Sequence, residues 1–233
     1  MSHLLLSCGS TLPSAAQLPV DNKIAHQSFP FCSLAGPEIS VPMKKAYTTD
    51  QRFDKVNVTQ DALLPGEYDN CEFLHCDFSQ CNLSGFIFTD CLFHECNLSL
   101  ARLDNTSLRD ARFKDCKLMG LRWDNCNPFG LSFSFEQCLL DHSSFFQVKA
   151  RKTRFKSCRL RECDFVECDL SQSVFDNCDL LGAVFERTLL EKTDFRTAFN
   201  YTIHPESNKI KKARFSLQGI PGLLTRYDID ISL

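Results

Sequence analysis

The stretch CEFLHCDFSQCNLSG, residues 71–85, places Cys71, Cys76 and Cys81 five residues apart. A large apolar residue follows each of these cysteines by two positions, and mostly polar residues fill the other places. A helix repeats its apolar positions every 3.6 residues and a strand every two residues, so neither pattern fits a period of five. The stretch therefore predicts a structural repeat in which each five-residue unit turns two side chains inward and three outward.

Both inward tracks continue far beyond this stretch. The large apolar track comprises Tyr68, Phe73, Phe78, Leu83, Phe88, Phe93, Leu98, Leu103, Leu108, Phe113, Leu118 and Trp123, and then Phe135, Leu140, Phe145, Ala150, Phe155, Leu160, Phe165, Leu170, Phe175, Leu180, Phe185, Leu190 and Phe195. Only one member, Ala150, is small, and the track explains why the chain has 21 phenylalanines. Two residues before each member lies a residue that is mostly small or medium-sized, usually Cys, Ala, Ser or Thr.

Twelve of the 14 cysteines lie on this second track. Zinc sites favour CxxC pairs, and the disulfide frameworks of secreted proteins mix their spacings, whereas here the spacing is regular. Free cysteine packs as a small buried apolar residue. We therefore predict that these thiols are core residues, with no metal, disulfide or cofactor, in a protein of the reducing cytoplasm. The sequence has no catalytic motif such as GxSxG or a P-loop, so we predict that the protein is not an enzyme.

Units such as CDFSQ, CNLSG, CDLSQ, CDLLG and TDFRT resemble the pentapeptide-repeat family. That family's unit is a small residue, Asp or Asn, Leu or Phe, and two polar residues. The resemblance implies an all-β fold: a right-handed quadrilateral β-helix with four units in each coil. Side chains 20 residues apart would then stack on one face, with coils about 4.8 Å apart. We expect six to seven coils, and a short C-terminal helix as a cap.

The repeat divides the chain into four predicted segments. Residues 1–42 lack any period and are expected to be a disordered or non-native extension, with translation starting at Met43. Residues 43–66 are expected to cap the N-terminal end of the β-helix. Residues 67–199 carry the repeats, and residues 200–233 form the C-terminal cap and dimerisation segment.

The repeat changes register near residues 127–134. Trp123 and Phe135 are 12 residues apart, which is two more than a multiple of five. Pro128 cannot donate a ladder hydrogen bond, and Gly130 tolerates unusual backbone angles, so we expect a bulge or small loop. Two interpretations remain open for this break: a tolerated kink, or a protrusion that a partner grips.

The C-terminal segment contains four candidate dimerisation residues, Ile220, Leu223, Leu224 and Tyr227. An open coil end is an unpaired sheet edge that must be covered. In related repeat proteins a C-terminal helix or strand builds a head-to-head dimer, so we expect a homodimer. The alternative is a monomer in which the segment is only a cap.

Members of the family that resemble the Qnr and MfpA proteins bind type II DNA topoisomerases and are proposed to imitate DNA. The resemblance implies that this protein binds DNA gyrase or topoisomerase IV through outward carboxylates and alters quinolone inhibition. The candidate partner-binding residues, mostly paired by stacking 20 apart, are Asp90 and Asp110, Glu95 and Asp115, Asp104 and Asp124, and the cluster Asp164, Glu167 and Glu186.

Other surface features weaken the DNA-mimic interpretation. Residues 149–161 carry seven basic side chains, so the outward surface has mixed charge. A long inserted loop of the Qnr kind is also absent from the sequence. The alternative function is a rigid scaffold or protein-interaction module with no topoisomerase role. The net charge of −3 and the lack of a long apolar run predict neither membrane nor direct nucleic-acid binding.

Overall fold

The computed structural model describes residues 46–57 and 63–231; the predicted extension, residues 1–42, lies outside them. The described elements are β1 (Ala46–Thr49), β2 (Arg52–Asp54), β3 (Gly66–Asp69), β4 (Glu72–Leu74), β5 (Ile87–Thr89), β6 (Leu92–His94), β7 (Ser107–Arg109), β8 (Ala111–Lys114), β9 (Phe133–Glu136), β10 (Arg154–Lys156), β11 (Val174–Asp176), β12 (Asp194–Phe195), β13 (Arg214–Phe215) and the helix α1 (Pro221–Leu224). All strand pairs are parallel. The predicted right-handed quadrilateral β-helix with a short C-terminal helix is confirmed.

Each coil has four walls, which we number by the large residues of one coil. Wall 1 carries Tyr68, wall 2 Phe73, wall 3 Phe78 and wall 4 Leu83. The five residues that one coil contributes to a wall form a rung. Residues of successive rungs pair at a separation of 20, as Phe73 does with Phe93. Wall 2 is a continuous sheet of nine strands from β2 to β13, so the rod is about 38 Å long at 4.8 Å per rung.

The last residue of most units lies in the left-handed region of backbone space, with φ between 50° and 64° at the non-glycine positions of the repeat. These residues turn the chain at each corner, and they include Asn70, His75 and Leu100. Residues other than glycine are uncommon in this region. Ladder hydrogen bonds hold them there; for example, the Asn70 N–H donates to the Thr89 carbonyl over 2.9 Å. Rung-to-rung bonding therefore offsets the local backbone cost.

The large inward track forms stacks of rings along the rod. On wall 2 the centroids of Phe73 and Phe93 are 4.9 Å apart, and those of Phe155 and Phe175 are 4.7 Å apart. Offset stacking at this spacing adds to the apolar burial. Rings that are 20 residues apart in the sequence therefore stack at about the rung spacing, and these stacks fill the interior.

The small inward track has a second property besides size. Its hydroxyls and thiols donate to carbonyl oxygens of the preceding coil, as Thr188 Oγ1 does to Phe165 over 2.8 Å and Cys163 Sγ does to Leu140 over 3.1 Å. Buried polar groups need such partners. Residues with a short side chain and one donor therefore suit this track.

The register break is an insertion of two residues on one wall. Ala111 pairs with Phe133 and Lys117 with Leu139, so the separation rises from 20 to 22 there and returns to 20 afterwards. Walls 2, 3 and 4 stay paired across the break. The sheet of wall 1 ends at β7, and pairing on that wall resumes between Lys149 and Asp169 in the described part of the chain.

Residues 127–131 leave wall 1 as a protrusion, and an extra aromatic residue closes the core behind it. Phe133 occupies a position that is small in most other units, and it lies 5.3 Å from Trp123 and 5.2 Å from Phe135 between ring centroids. The Ser132 hydroxyl accepts from the Asp110 N–H over 2.7 Å, where a ladder carbonyl would otherwise accept. The break is thus a packed and hydrogen-bonded feature.

The two ends of the rod extend the coil beyond the repeat region. Strands β1 and β2 pair with β3 and β4 at the usual separation of 20, and β13 adds a further rung after β12. The last coil is covered by α1 and the 3₁₀ turns at Leu217–Gly219 and Thr225–Tyr227. Gly222 lies so close to the Tyr201 carbonyl that any larger residue there would clash. The C-terminal segment therefore docks tightly on the rod.

Candidate protein-interaction surfaces

Five of the nine predicted acidic residues come together on wall 4 and its corner with wall 1. Asp104, Asp124, Glu167 and Glu186 follow the corner, and Asp164 lies beside them on the wall. Successive rungs are about 4.8 Å apart, so Asp104 and Asp124 are close neighbours. Asp104 and Asp124 form one acidic pair, and Asp164, Glu167 and Glu186 form a second acidic group, with the rung of Phe146 between them.

Arginines neutralise much of this wall. Arg102 contacts Asp104 at 2.9 Å, Arg122 contacts Asp124 at 2.6 Å, and Arg187 contacts Glu167 at 2.8 Å. The hydrogen bond from Arg102 holds the pKa of Asp104 below its usual value. Asp164 forms no ion pair among the described residues, and its Oδ1 accepts from the Val166 N–H over 2.8 Å.

The other four predicted acidic residues lie on two different corners. Asp90 and Asp110 are at the corner of walls 1 and 2, where Ser132 Oγ donates to Asp110 over 3.0 Å. Glu95 and Asp115 are at the corner of walls 2 and 3. The structure therefore does not unite all nine residues into one surface.

Two histidines join the carboxylates at the corner of walls 2 and 3, which the sequence interpretation missed. His75 lies 2.8 Å from Asp54 and 3.3 Å from Glu95, and His94 lies 3.3 Å from Asp115. The signal was available in the sequence, since His75 is 20 residues before Glu95. These contacts link successive rungs at the N-terminal end of the rod.

The basic run of residues 149–161 forms a belt around walls 1, 2 and 3. Much of it is paired: Lys156 contacts Glu136 at 2.7 Å, Arg159 contacts Asp141 at 2.6 Å, and Arg161 contacts Asp179 at 2.7 Å. Lys149 and Lys152, on wall 1 beside the protrusion, form no ion pair in the described part of the chain. Unpaired basic side chains of this belt therefore lie next to the register break.

The 12 repeat cysteines are all buried and free. Six of them form one uninterrupted column at the corner of walls 2 and 3: Cys76, Cys96, Cys116, Cys138, Cys158 and Cys178. Within the column, Cys96 Sγ donates to the Phe73 carbonyl over 3.2 Å and Cys116 Sγ to the Phe93 carbonyl over 3.3 Å. No group of three or more potential metal ligands is arranged for a metal ion among residues 46–57 and 63–231.

We expect the repeat thiols to resist labelling in the native protein. Burial raises the pKa of both the Cys91 and the Cys126 thiol to about 12, and reactivity needs an accessible thiolate. The test uses a Cys8→Ser/Cys32→Ser variant, so that only the 12 repeat thiols are counted. A maleimide should modify fewer than two thiols per chain before denaturation and all of them afterwards, as mass spectrometry would show. Rapid modification of most thiols in the folded variant would contradict the inward assignment.

The four predicted dimerisation residues differ in exposure. Leu223 is only 8% exposed because it packs within the protomer's own cap, and Leu224 is partly buried. Ile220 and Tyr227 are exposed, and the Tyr227 hydroxyl hydrogen-bonds to Glu206. An interface with a second copy would therefore use Ile220 and Tyr227 directly, whereas Leu223 supports the cap from inside.

A repeat solenoid with a filled interior and mixed outer walls is the class of protein that these features define. The family profile described as pentapeptide repeat region matches residues 67–134 and 131–198, so the chain belongs to the pentapeptide-repeat family. No described helix has the length and apolar character needed to cross a bilayer.

Two solved structures show what this chain is similar to. Full-length QnrB1, a plasmid-mediated fluoroquinolone resistance protein, is 15% identical, has a TM-score of 0.53, and is matched over 78% of this chain and 100% of that chain. HetL from the cyanobacterium Nostoc, involved in heterocyst differentiation regulation, is 14% identical with a TM-score of 0.36, over 76% of this chain and 90% of that chain. No curated protein sequence matches significantly. At these identities the likeness to QnrB1 concerns the fold alone.

Proposed function

We propose that this protein is a non-enzymatic binding rod whose partner is a type II DNA topoisomerase, DNA gyrase or topoisomerase IV. The observation that carries the proposal is the gathering of Asp104, Asp124, Asp164, Glu167 and Glu186 on wall 4. Basic residues that hold DNA phosphates would meet this wall, and the fold shared with QnrB1 motivates the choice of partner. The free repeat thiols fit a reducing site of action, which we propose is the cytoplasm.

A gyrase supercoiling assay, with and without a fluoroquinolone, tests this proposal. We expect the wild-type protein to change supercoiling or drug inhibition at about micromolar concentration. The triple variant Asp164→Lys/Glu167→Lys/Glu186→Lys should weaken the effect at least about tenfold, since opposite charges at the interface would become like charges. A control variant, Glu72→Lys/Glu191→Lys, reverses two exposed acids on walls 2 and 1 and should behave as wild type.

The second candidate function is a scaffold for other proteins, without a topoisomerase role. Asp104, Asp124 and Glu167 each have an arginine partner. These partners favour the scaffold function, because neutralised carboxylates on wall 4 imitate DNA phosphates poorly. Absence of any wild-type effect on gyrase or topoisomerase IV would select this function. Equal effects of the wall 4 variant and wild type would place topoisomerase binding on another surface.

We also propose that two copies associate through their C-terminal ends. The exposed apolar residues at that end include Ile220 and Tyr227, together with Leu217, Ile229 and Ile231. Exposed apolar clusters of this kind mark interaction sites, and two-fold contacts are the commonest way to bury them. Such a dimer would double the length of the rod.

A further inference from the structure

We propose that the groove beside the protrusion binds an acidic peptide segment that carries an apolar side chain. This groove, which we call the break groove, has a volume of about 420 Å³ and lies between wall 4 and the protrusion. Its lining includes Trp123, Asp124, Leu131, Phe146, Val148 and Lys149. Peptide binding can be measured with the isolated protein, so the inference stands independently of any topoisomerase partner.

The lining of the break groove is partly apolar. Phe146 is 37% exposed, Leu131 is partly buried, and Val148 is buried in the adjoining coil. Pro128 also lines the groove, and the next residue, Phe129, is 77% exposed at the protrusion. A concave site with apolar walls and few polar groups suits the side chain of a bound segment.

Two residues that line the groove each have a buried polar atom without a hydrogen-bond partner. Trp123 is 1% exposed and the Asp124 side chain is 10% exposed, yet Trp123 Nε1 and Asp124 Oδ1 have no hydrogen-bond partner within the described residues. Buried polar atoms are nearly always paired. A peptide N–H that reached Asp124 Oδ1 would give that oxygen the partner it lacks, whereas the Trp123 N–H lies on the inward track.

Four cations without an ion pair lie around the protrusion. Lys149 lines the break groove, and Arg112 and Lys152 line a second groove of about 790 Å³ on the other side. The Arg109 side chain packs against Gly130 of the protrusion. None of these four cations forms an ion pair in the described part of the chain, whereas Arg159 and Arg161 on wall 3 do. Carboxylates of a bound segment would pair with them.

A peptide fits these charges better than a nucleic acid does. Asp124 lies in the break groove, and Asp90 and Asp110 line the second groove, so a continuous phosphate backbone would meet repulsion. A peptide can place its carboxylates individually beside Lys149 and Arg109.

Selection from a phage-displayed library of random 12-residue peptides, with the full chain as bait, tests the proposal. We expect enriched peptides to share an apolar residue flanked by Asp or Glu. Synthetic copies should shift the fluorescence of Trp123, which is the only tryptophan in the chain. Lys149→Glu and Phe146→Ala should each raise Kd at least about tenfold, and added salt should weaken binding.

Two matched controls separate local from general effects. Lys209→Glu alters the same column of wall 1, because residues 149, 169, 189 and 209 are paired in succession, and Phe199→Ala removes an exposed aromatic from wall 3. Both should keep Kd within about twofold of wild type. No enriched peptides, a basic consensus, or unchanged binding to Lys149→Glu would overturn the proposal. Competition of a 20-nucleotide single-stranded DNA with the peptide is also measured on the wild-type protein. If the DNA competes, and if Phe146→Ala abolishes binding of the DNA, the groove would be assigned to nucleic acid instead.

Discussion

Replacing Phe165 by alanine is expected to lower the free energy of unfolding by about 3–5 kcal/mol. Phe165 is fully buried on wall 4, where its ring stacks at 5.0 Å on both Phe145 and Phe185. Its neighbours are held by ladder hydrogen bonds on both sides, so they cannot close the cavity. The loss should appear in urea denaturation followed by far-UV circular dichroism and by Trp123 fluorescence.

Two variants control for this large effect. Cys163→Ala removes a smaller group from the same rung and one weak S–H bond to Leu140, so it should cost only about 1 kcal/mol. Phe129→Ala changes a ring that is 77% exposed and should leave stability nearly unchanged. A Phe165→Ala protein within 1 kcal/mol of wild type would show that the stack does not hold the rod together.

Replacing Leu223 by aspartate is expected to destabilise the C-terminal cap by about 3 kcal/mol or more. Leu223 is 8% exposed, and the helix that carries it is held to the rod by the bond from the Ile203 N–H to the Gly222 carbonyl, 2.9 Å long. A carboxylate there would lose its water without gaining a partner. Undocking of the cap would expose the last rung, and hydrogen exchange of residues 201–215 should accelerate.

Exposed positions of the same segment give the opposite expectation. Ile220→Asp/Tyr227→Asp should keep the melting temperature near that of wild type but convert a dimer to a monomer in light scattering. Leu217→Asp changes another residue of the same exposed cluster, 75% exposed, and should weaken the dimer in the same direction. A wild-type monomer mass would refute the dimer. If the wild-type protein is a dimer and Leu223→Asp is a stably folded monomer, Leu223 would instead lie in the interface.

The sequence was sufficient to assign inward and outward positions. Each track member from Tyr68 to Phe195 is buried, as are all 12 repeat cysteines, because the period of five repeats the same local geometry in every unit. The slip of two residues between Trp123 and Phe135 also appears directly in the strand register. Such features depend on residues within one or two units, so a linear pattern can show them.

The surface, in contrast, depends on which coils become neighbours. Whether Glu167 is free or paired depends on Arg187, which lies 20 residues further along on the next coil, and whether Lys149 is neutralised also depends on residues one coil away. Leu223, one of the predicted dimerisation residues, is buried because α1 docks on Tyr201, a contact that no repeat unit encodes.

By itself the sequence determined the repeat, its inward tracks and the position of the break. Only the tertiary structure decided that six cysteines form one column, that five acids share wall 4, and that cations from residues 109–152 surround one protrusion. The physical reason is that a period of five defines a unit but not the number of units in a coil. Lateral neighbours are fixed by ladder hydrogen bonds between residues 20 or 22 apart, and these bonds form only when the coils close.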